Sequence, residues 1–185
     1  KLAAVGIKKD VAISAKASPD NITIDGGWGG TGGAPDVMLD ETGIPALPAL
    51  VAAREILDGM EARQELWIGG GFYTGGDVAK ALALGADAVF MGSAMLAALG
   101  CVGCNLCYTG QCPKGVATQD PELAKNIDVE AAANNVANFI KHCNEEIKMI
   151  AGATGHNDIH NLNKDDLRSL AAEVSQITGV KSAGE

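Results

Sequence analysis

The sequence predicts an α/β fold built on a parallel sheet. Three observations carry that expectation: short apolar runs that end in glycine, helical patterns between them, and a 185-residue chain that is 47% apolar with 24 glycines for tight turns. The runs are "NITID" (21–25), "LWIG" (66–69) and "DAVFMG" (87–92), the pattern of strands buried in a parallel sheet. A fourth strand is expected to finish at the first residues of the chain. Residues 8–17 read as a short helix ahead of the first clear strand. Residues 48–60 begin with Pro48 in a first turn and set Leu50, Ala53, Leu57 and Met60 on one face. Residues 76–84 follow a Gly75-Gly76-Asp77 start and stop at Gly85, a residue suited to a helix C-cap.

Three or four strands fall short of the eight of a closed (β/α)8 barrel, which typically takes about 250 residues. The expectation is therefore part of such a barrel, beginning where a strand finishes. An open sheet standing alone would need its edges covered.

Further along, the pattern becomes helical. Val129, Ala132, Val136, Ile140, Cys143, Ile147 and Ile150 recur every three or four residues, opened by Asp128 as N-cap, which predicts a long amphipathic helix over 129–151. "NLNKDDLRSLAAEV" predicts a second, shorter helix with Leu167, Leu170 and Val174 inward, and the tail "KSAGE" is expected to fray. His156 and His160 stand four apart as metal ligands on a helix would, but the Asn and Asp between them favour a turn. Cys143 reads as core.

Composition excludes some classes. A net charge of −9 leaves no basic stripe for nucleic acid. No stretch approaches the roughly 18 apolar residues of a membrane span. The first residues lack the apolar core of a secretory leader. Five cysteines without such a leader point to a reducing compartment, so the expected location is cytoplasmic.

Two glycine stops, Gly69-Gly70-Gly71 and Gly92-Ser93, end neighbouring strands just before helices. Free backbone N–H groups and helix dipoles converging there would suit a phosphate, as the loops after the last two strands of barrels do. Tight turns alone are the plainer alternative. A third loop, "DGGWGGTGGAP" (25–35), would let backbone approach a flat ring, with Thr31 offering a hydroxyl; the alternative is a flexible surface loop.

Cys101, Cys104, Cys107 and Cys112 are spaced C-x2-C-x2-C-x4-C and followed by Pro113. Zinc sites usually set two C-x-x-C pairs farther apart. Short successive gaps ending in Cys-Pro instead match the iron–sulfur ligand runs of bacterial ferredoxins, with one extra residue before the last cysteine. Four buried free thiols are the remaining alternative.

With the glycine loops and this run together, the chain resembles the C-terminal part of the FMN-binding synthase domain of the glutamate synthase family, in its archaeal-type form. "KLAAVG", "DGGWGGTGGAP", "GGFYTGGDVAKALALGAD", "GSAMLAALGC", "CPKGVATQDPEL" and the tail "EEIKMIAGATGHNDIHNLNKDDLRSL" carry the likeness along practically the whole sequence. The resemblance implies the C-terminal half of a (β/α)8 barrel over residues 1–100, an iron–sulfur cluster loop over 101–118 and a helical extension over 119–185. It implies FMN, its phosphate held by Gly70, Gly71, Gly92 and Ser93 and its ring lined by Gly30, Thr31 and Gly32. Lys1 falls on a strand-end lysine that faces flavin and substrate, a catalytic position where a cation balances developing negative charge. Cys101, Cys107 and Cys112 match the ligands of a [3Fe–4S] cluster, and Cys104 as a fourth ligand would favour [4Fe–4S]. The family's aspartate before the double glycine is Gly69 here, and its arginine after that pair is Tyr73.

The implied reaction is reductive amination of 2-oxoglutarate with ammonia, free or derived from glutamine, to L-glutamate. Electrons would come from ferredoxin or an NAD(P)H-oxidising subunit, through the cluster to FMN. The implied partners include an N-terminal half-barrel or a glutaminase subunit, and the open edges favour an oligomer. Competing readings are an N-methylglutamate synthase or another FMN-barrel oxidoreductase, and, in a different class, a non-catalytic electron-transfer or assembly subunit.

Overall fold

The computed structural model describes residues 1–27, 37–38 and 41–185. Four strands, β1 (Leu2–Ala3), β2 (Asn21–Asp25), β3 (Glu65–Gly69) and β4 (Ala88–Phe90), pair in parallel in the order β1-β2-β3-β4. The register sets Ala3 beside Asp25, Asp25 beside Gly69, and Gly69 beside Phe90. All four C-terminal ends therefore lie along one edge of the sheet. The expected strand at the start of the chain is present.

Among the described residues the strands are separated by α1 (Ile7–Lys16), α2 (Ala46–Gly59) and α3 (Gly75–Ala83). Leu50, Ala53 and Leu57 of α2 are buried as the periodicity predicts, whereas Met60 lies at the helix end, 39% exposed. Together with Val11 of α1 they cover one face of the sheet and close the main core on Ile22, Ile24, Leu66 and Ile68. Alternation of side chains along a strand sends Thr23, Asp25 and Trp67 to the other face. There Trp67 and Phe90 meet with ring centroids 5.6 Å apart, tilted by 56°.

Beyond β4 come α4 (Ser93–Ala98), α5 (Pro121–Ala124), α6 (Val129–Ala153) and α7 (Ala172–Thr178). Asp128 caps α6 as expected, accepting from Ala131 N–H. The apolar stripe of α6 is only partly used. Cys143, Ile147 and Ala151 are buried, Ile147 and Ala151 against Ala79, Leu82 and Ala83 of α3, while Val129 is 69% and Ile140 is 42% exposed.

The helix expected over 161–174 does not form. Asn163 accepts from Asp165 N–H, Asp166 returns the bond to Asn163 N–H, and a single 3-10 turn results over Lys164–Asp166. The chain then extends, leaving Leu170 94% exposed and Val174 37% exposed; only Leu167 packs inward. The tail does not fray either: Ser169 and Ser182 form a parallel bridge, and Lys181 pairs with Asp165 at 2.9 Å.

Candidate cofactor and cluster site

The strand ends bring several of the expected residues to one edge. Lys1 Nζ lies 2.6 Å from Asp25 Oδ2. Asp25 Oδ1 stands 3.1 Å, and Phe90 Cβ 3.3 Å, from where a Cβ on Gly69 would be. Any side chain at position 69 would press on Asp25, so the carboxylate of β2 fills the place beside Gly69. Gly70 has φ +113° and its added Cβ would come within 3.1 Å of the Gly26 backbone, so glycine is needed there for both conformation and room. Beside this turn lies a cavity of about 230 Å³ lined by Gly27, Leu47, Gly70, Gly71, Phe72 and Lys80 among others.

The two glycine stops are not equivalent. At α3, most of the donors around the helix start are already taken, Gly76 N–H alone having no partner among the described residues. Tyr73 and Thr74 N–H donate to Asp77 Oδ2, Asp77 N–H donates to Thr74 Oγ1, and Gly75 N–H donates to Glu146 Oε2 at 2.7 Å. Burial works against the charge of Asp77, but the bonds from Tyr73 and Thr74, with Lys80 nearby, outweigh it and hold the carboxyl below its ordinary value of 3.8. The anion position at this helix start is filled by the protein's own carboxylates. The expectation of free donors fails for most of this helix start, because Thr74 and Asp77 close a local capping box and Glu146 of α6 takes Gly75 N–H.

At α4 the opposite holds. Gly92 precedes the helix with no side-chain cap among the described residues, and nothing stands within 4 Å of its missing Cβ. Gly92 and Ser93 are exposed. The first turn of this helix thus carries no side-chain cap, the arrangement an anion-binding helix start requires. Gly30, Thr31 and Gly32 lie outside the described residues.

The cysteine segment folds as a series of tight turns. Gly103, Asn105, Gly110 and Gly115 all have positive φ, and Cys107–Thr109 form a 3-10 turn. Cys112 is buried, and bonds from the backbone N–H groups of Ala117, Lys114, Val116 and Gly115 lower its thiol below the ordinary 9.0, burial acting the other way. These bonds favour the thiolate, the form that binds metal, relative to an ordinary cysteine. Cys101 and Cys107 are half-buried and Cys104 is exposed. Among the described residues no three His, Cys, Asp or Glu side chains converge as a metal site, so the donor set suits iron–sulfur while its present arrangement is not gathered. Burial, followed by the Glu146 charge, raises the Cys143 thiol, which stays in the core as expected. His156 Nε2 lies 2.8 Å from Asp166 Oδ2, and His160 is exposed, apart from it.

A family model described as a conserved region in glutamate synthase matches residues 1–157. The chain belongs to the glutamate synthase family. It is 45% identical over its whole length to a protein of Methanocaldococcus jannaschii named archaeal glutamate synthase [NADPH], of which it covers 38%. It is 41% identical, again over its whole length and 38% of the relative, to the archaeal-type glutamate synthase [NADPH] of Thermotoga neapolitana. A glutamate synthase large subunit-like protein of Rhizobium meliloti is 38% identical over 95% of this chain and 44% of its own. The chain thus spans well under half of these glutamate synthase relatives. No helix among the described residues is long and apolar enough to cross a membrane.

Two residues escaped the sequence reading. Asp25 was visible as a charge closing an apolar run, but its pairing with Lys1 depends on the β1–β2 register. Glu146 lies 71 positions from Gly75, and nothing local marks it as that helix's cap.

Proposed function

We propose that the chain is part of a glutamate synthase-type oxidoreductase that converts 2-oxoglutarate and ammonia to L-glutamate, its sheet being the C-terminal half of an FMN-binding (β/α)8 barrel. The observation that carries this reading is the meeting, along one sheet edge, of Lys1, the Gly70-Gly71 turn and the open start of α4 in a chain of this family. Gly70, Gly71, Gly92 and Ser93 would hold the FMN phosphate. Gly30, Thr31 and Gly32 would line its ring, on the resemblance alone.

Lys1 would face flavin and substrate, where a cation stabilises the carboxylates of 2-oxoglutarate and charge that builds during the reaction. Trp67 and Phe90, on the face away from the helices, would help keep water from it. Cys101, Cys107 and Cys112, with Cys104, would ligate an iron–sulfur cluster on the 101–118 loop, between a barrel part (1–100) and a helical extension (119–185). When bound, FMN supplies hydride transfer and the cluster supplies one-electron relay. The relatives' names favour an NADPH-oxidising partner over ferredoxin as electron source. The remaining half-barrel and a source of ammonia would come from outside these residues, and a cytoplasmic location agrees with the thiols.

Full-length protein carrying this chain, purified without oxygen, is expected to hold FMN and about three or four irons, and to form glutamate from 2-oxoglutarate, ammonia and NADPH. Stoichiometric zinc in place of iron, or flavin reduction with no amination, would overturn the reading.

A further inference from the structure

We propose that Asp25 is a positioning residue of this site: its carboxylate holds the Lys1 ammonium over the strand ends, in the place left vacant by Gly69. The proposal rests on the functional reading for Lys1 but on separate observations for Asp25. The Lys1–Asp25 pair is 2.6 Å long, with the lysine side chain 61% and the aspartate side chain 21% exposed. Asp25 is fixed from its own backbone, because Ala4 N–H donates to Asp25 O and Gly26 N–H to Gly69 O, both at the same sheet edge. Its other carboxylate oxygen lies over Gly69, where a Cβ would be crowded from two sides. The Asp25 backbone is thus held between β1 and β3, and its carboxylate lies between the Lys1 ammonium and Gly69.

A long lysine in solvent samples many rotamers, and a fixed carboxylate restricts them. Here that restriction keeps the ammonium at the edge shared by Gly69, Gly70 and Phe90, which is where the functional reading needs it. Asp25 would act through Lys1, without touching the reacting atoms.

The test uses the full-length protein and two readouts. Limiting acetic anhydride is applied, and acetylation of Lys1 Nζ is scored by fragmentation mass spectrometry against the exposed Lys8 and Lys9 of α1. Asp25→Asn is expected to raise Lys1 labelling about two- to fivefold, the range open to a partly exposed ion pair, and Asp25→Glu to return it towards the unaltered rate. Equal labelling in the unaltered protein and Asp25→Asn would overturn the proposal.

In the second readout, Lys1→Ala and Asp25→Asn each lower kcat/KM for 2-oxoglutarate, and the double variant is no worse than Lys1→Ala alone. Losses that simply add would also overturn it. Should the unaltered protein form no glutamate, the functional reading fails, and labelling still decides whether Asp25 holds Lys1.

Discussion

Glu146 is expected to be a structural cap whose loss costs stability and leaves flavin binding intact. Its carboxylate accepts from Gly75 N–H at 2.7 Å, joining α6 to the start of α3 across 71 residues. A hydrogen bond to a charged group is worth about 1.5–3 kcal/mol, and this one is only part-buried, so Glu146→Ala should cost roughly 1.5 kcal/mol. Glu146→Gln keeps an acceptor and loses the charge, which should cost about half as much. For a domain of this size such losses correspond to a drop in Tm of roughly 3–6 °C and half that. Thermal melts of the full-length protein, followed by circular dichroism, give the first quantity; titration of FMN by fluorescence quenching gives the second. If Glu146→Ala changed neither Tm nor flavin affinity, the capping argument would be wrong. If Glu146→Gln tightened flavin binding tenfold, the phosphate would be seeking the start of α3, and the assignment to α4 would fail.

The remaining predictions concern the other cap and the thiols. Thr74→Ala removes the acceptor for Asp77 N–H and should cost about 1 kcal/mol, read by urea unfolding. Because the folded-state value of Asp77 lies below its ordinary 3.8, its contribution is present above that pH and disappears as pH falls through the lowered value; the stability gap between unaltered protein and Asp77→Asn should close on acidification. Iron analysis and absorption spectra should show that Cys112→Ser and Cys107→Ser abolish the cluster, that Cys104→Ser at most changes its type, and that Cys143→Ser leaves it in place. Loss of iron in Cys143→Ser as complete as in Cys107→Ser would mean the ligands have been misassigned.

Local chemistry was legible in the sequence wherever it was also decisive. Ile22, Ile24, Leu66 and Ile68 announce strands because their apolar runs stop at glycine, and Asp128 announces a helix because the cap lies next to the turn it serves. The failures have two physical origins: periodicity reports which face of an element is apolar, not whether anything packs on it, and local side-chain bonds can close a turn before a helix forms. Val129 and Ile140 fit the stripe of α6, yet the packing on α3 reaches only the half around Ile147 and Ala151. In 161–174 the leucine spacing suggested a helix, and the side chains of Asn163 and Asp166 closed a shorter turn first. Among the proposed site residues, the glycines and Lys1 are named from motif and from the family resemblance. Asp25 and Glu146 cannot be, since their roles arise from strand register and from a helix far along the chain.

If the start of α4 takes a phosphate as proposed, the carboxylates of Asp77, Glu146 and Asp25 bear on how a chain with net charge −9 could present an anion site. Bulk charge repels a phosphate or a dicarboxylate, so attraction must come from local geometry. Each helix start offers donors, and the protein's own carboxylates take most of those at α3 while α4 has no side-chain cap among the described residues. Asp77 and Glu146 fill the start of α3. Asp25, the third carboxylate of the region, is set against Lys1, where its charge is offset by the cation it steadies. Asp77, Glu146 and Asp25 are thus engaged with internal partners, while the first turn of α4 carries no such cap among the described residues. On the proposed function, preference for the start of α4 over the start of α3 would follow from occupation of the latter by Asp77 and Glu146.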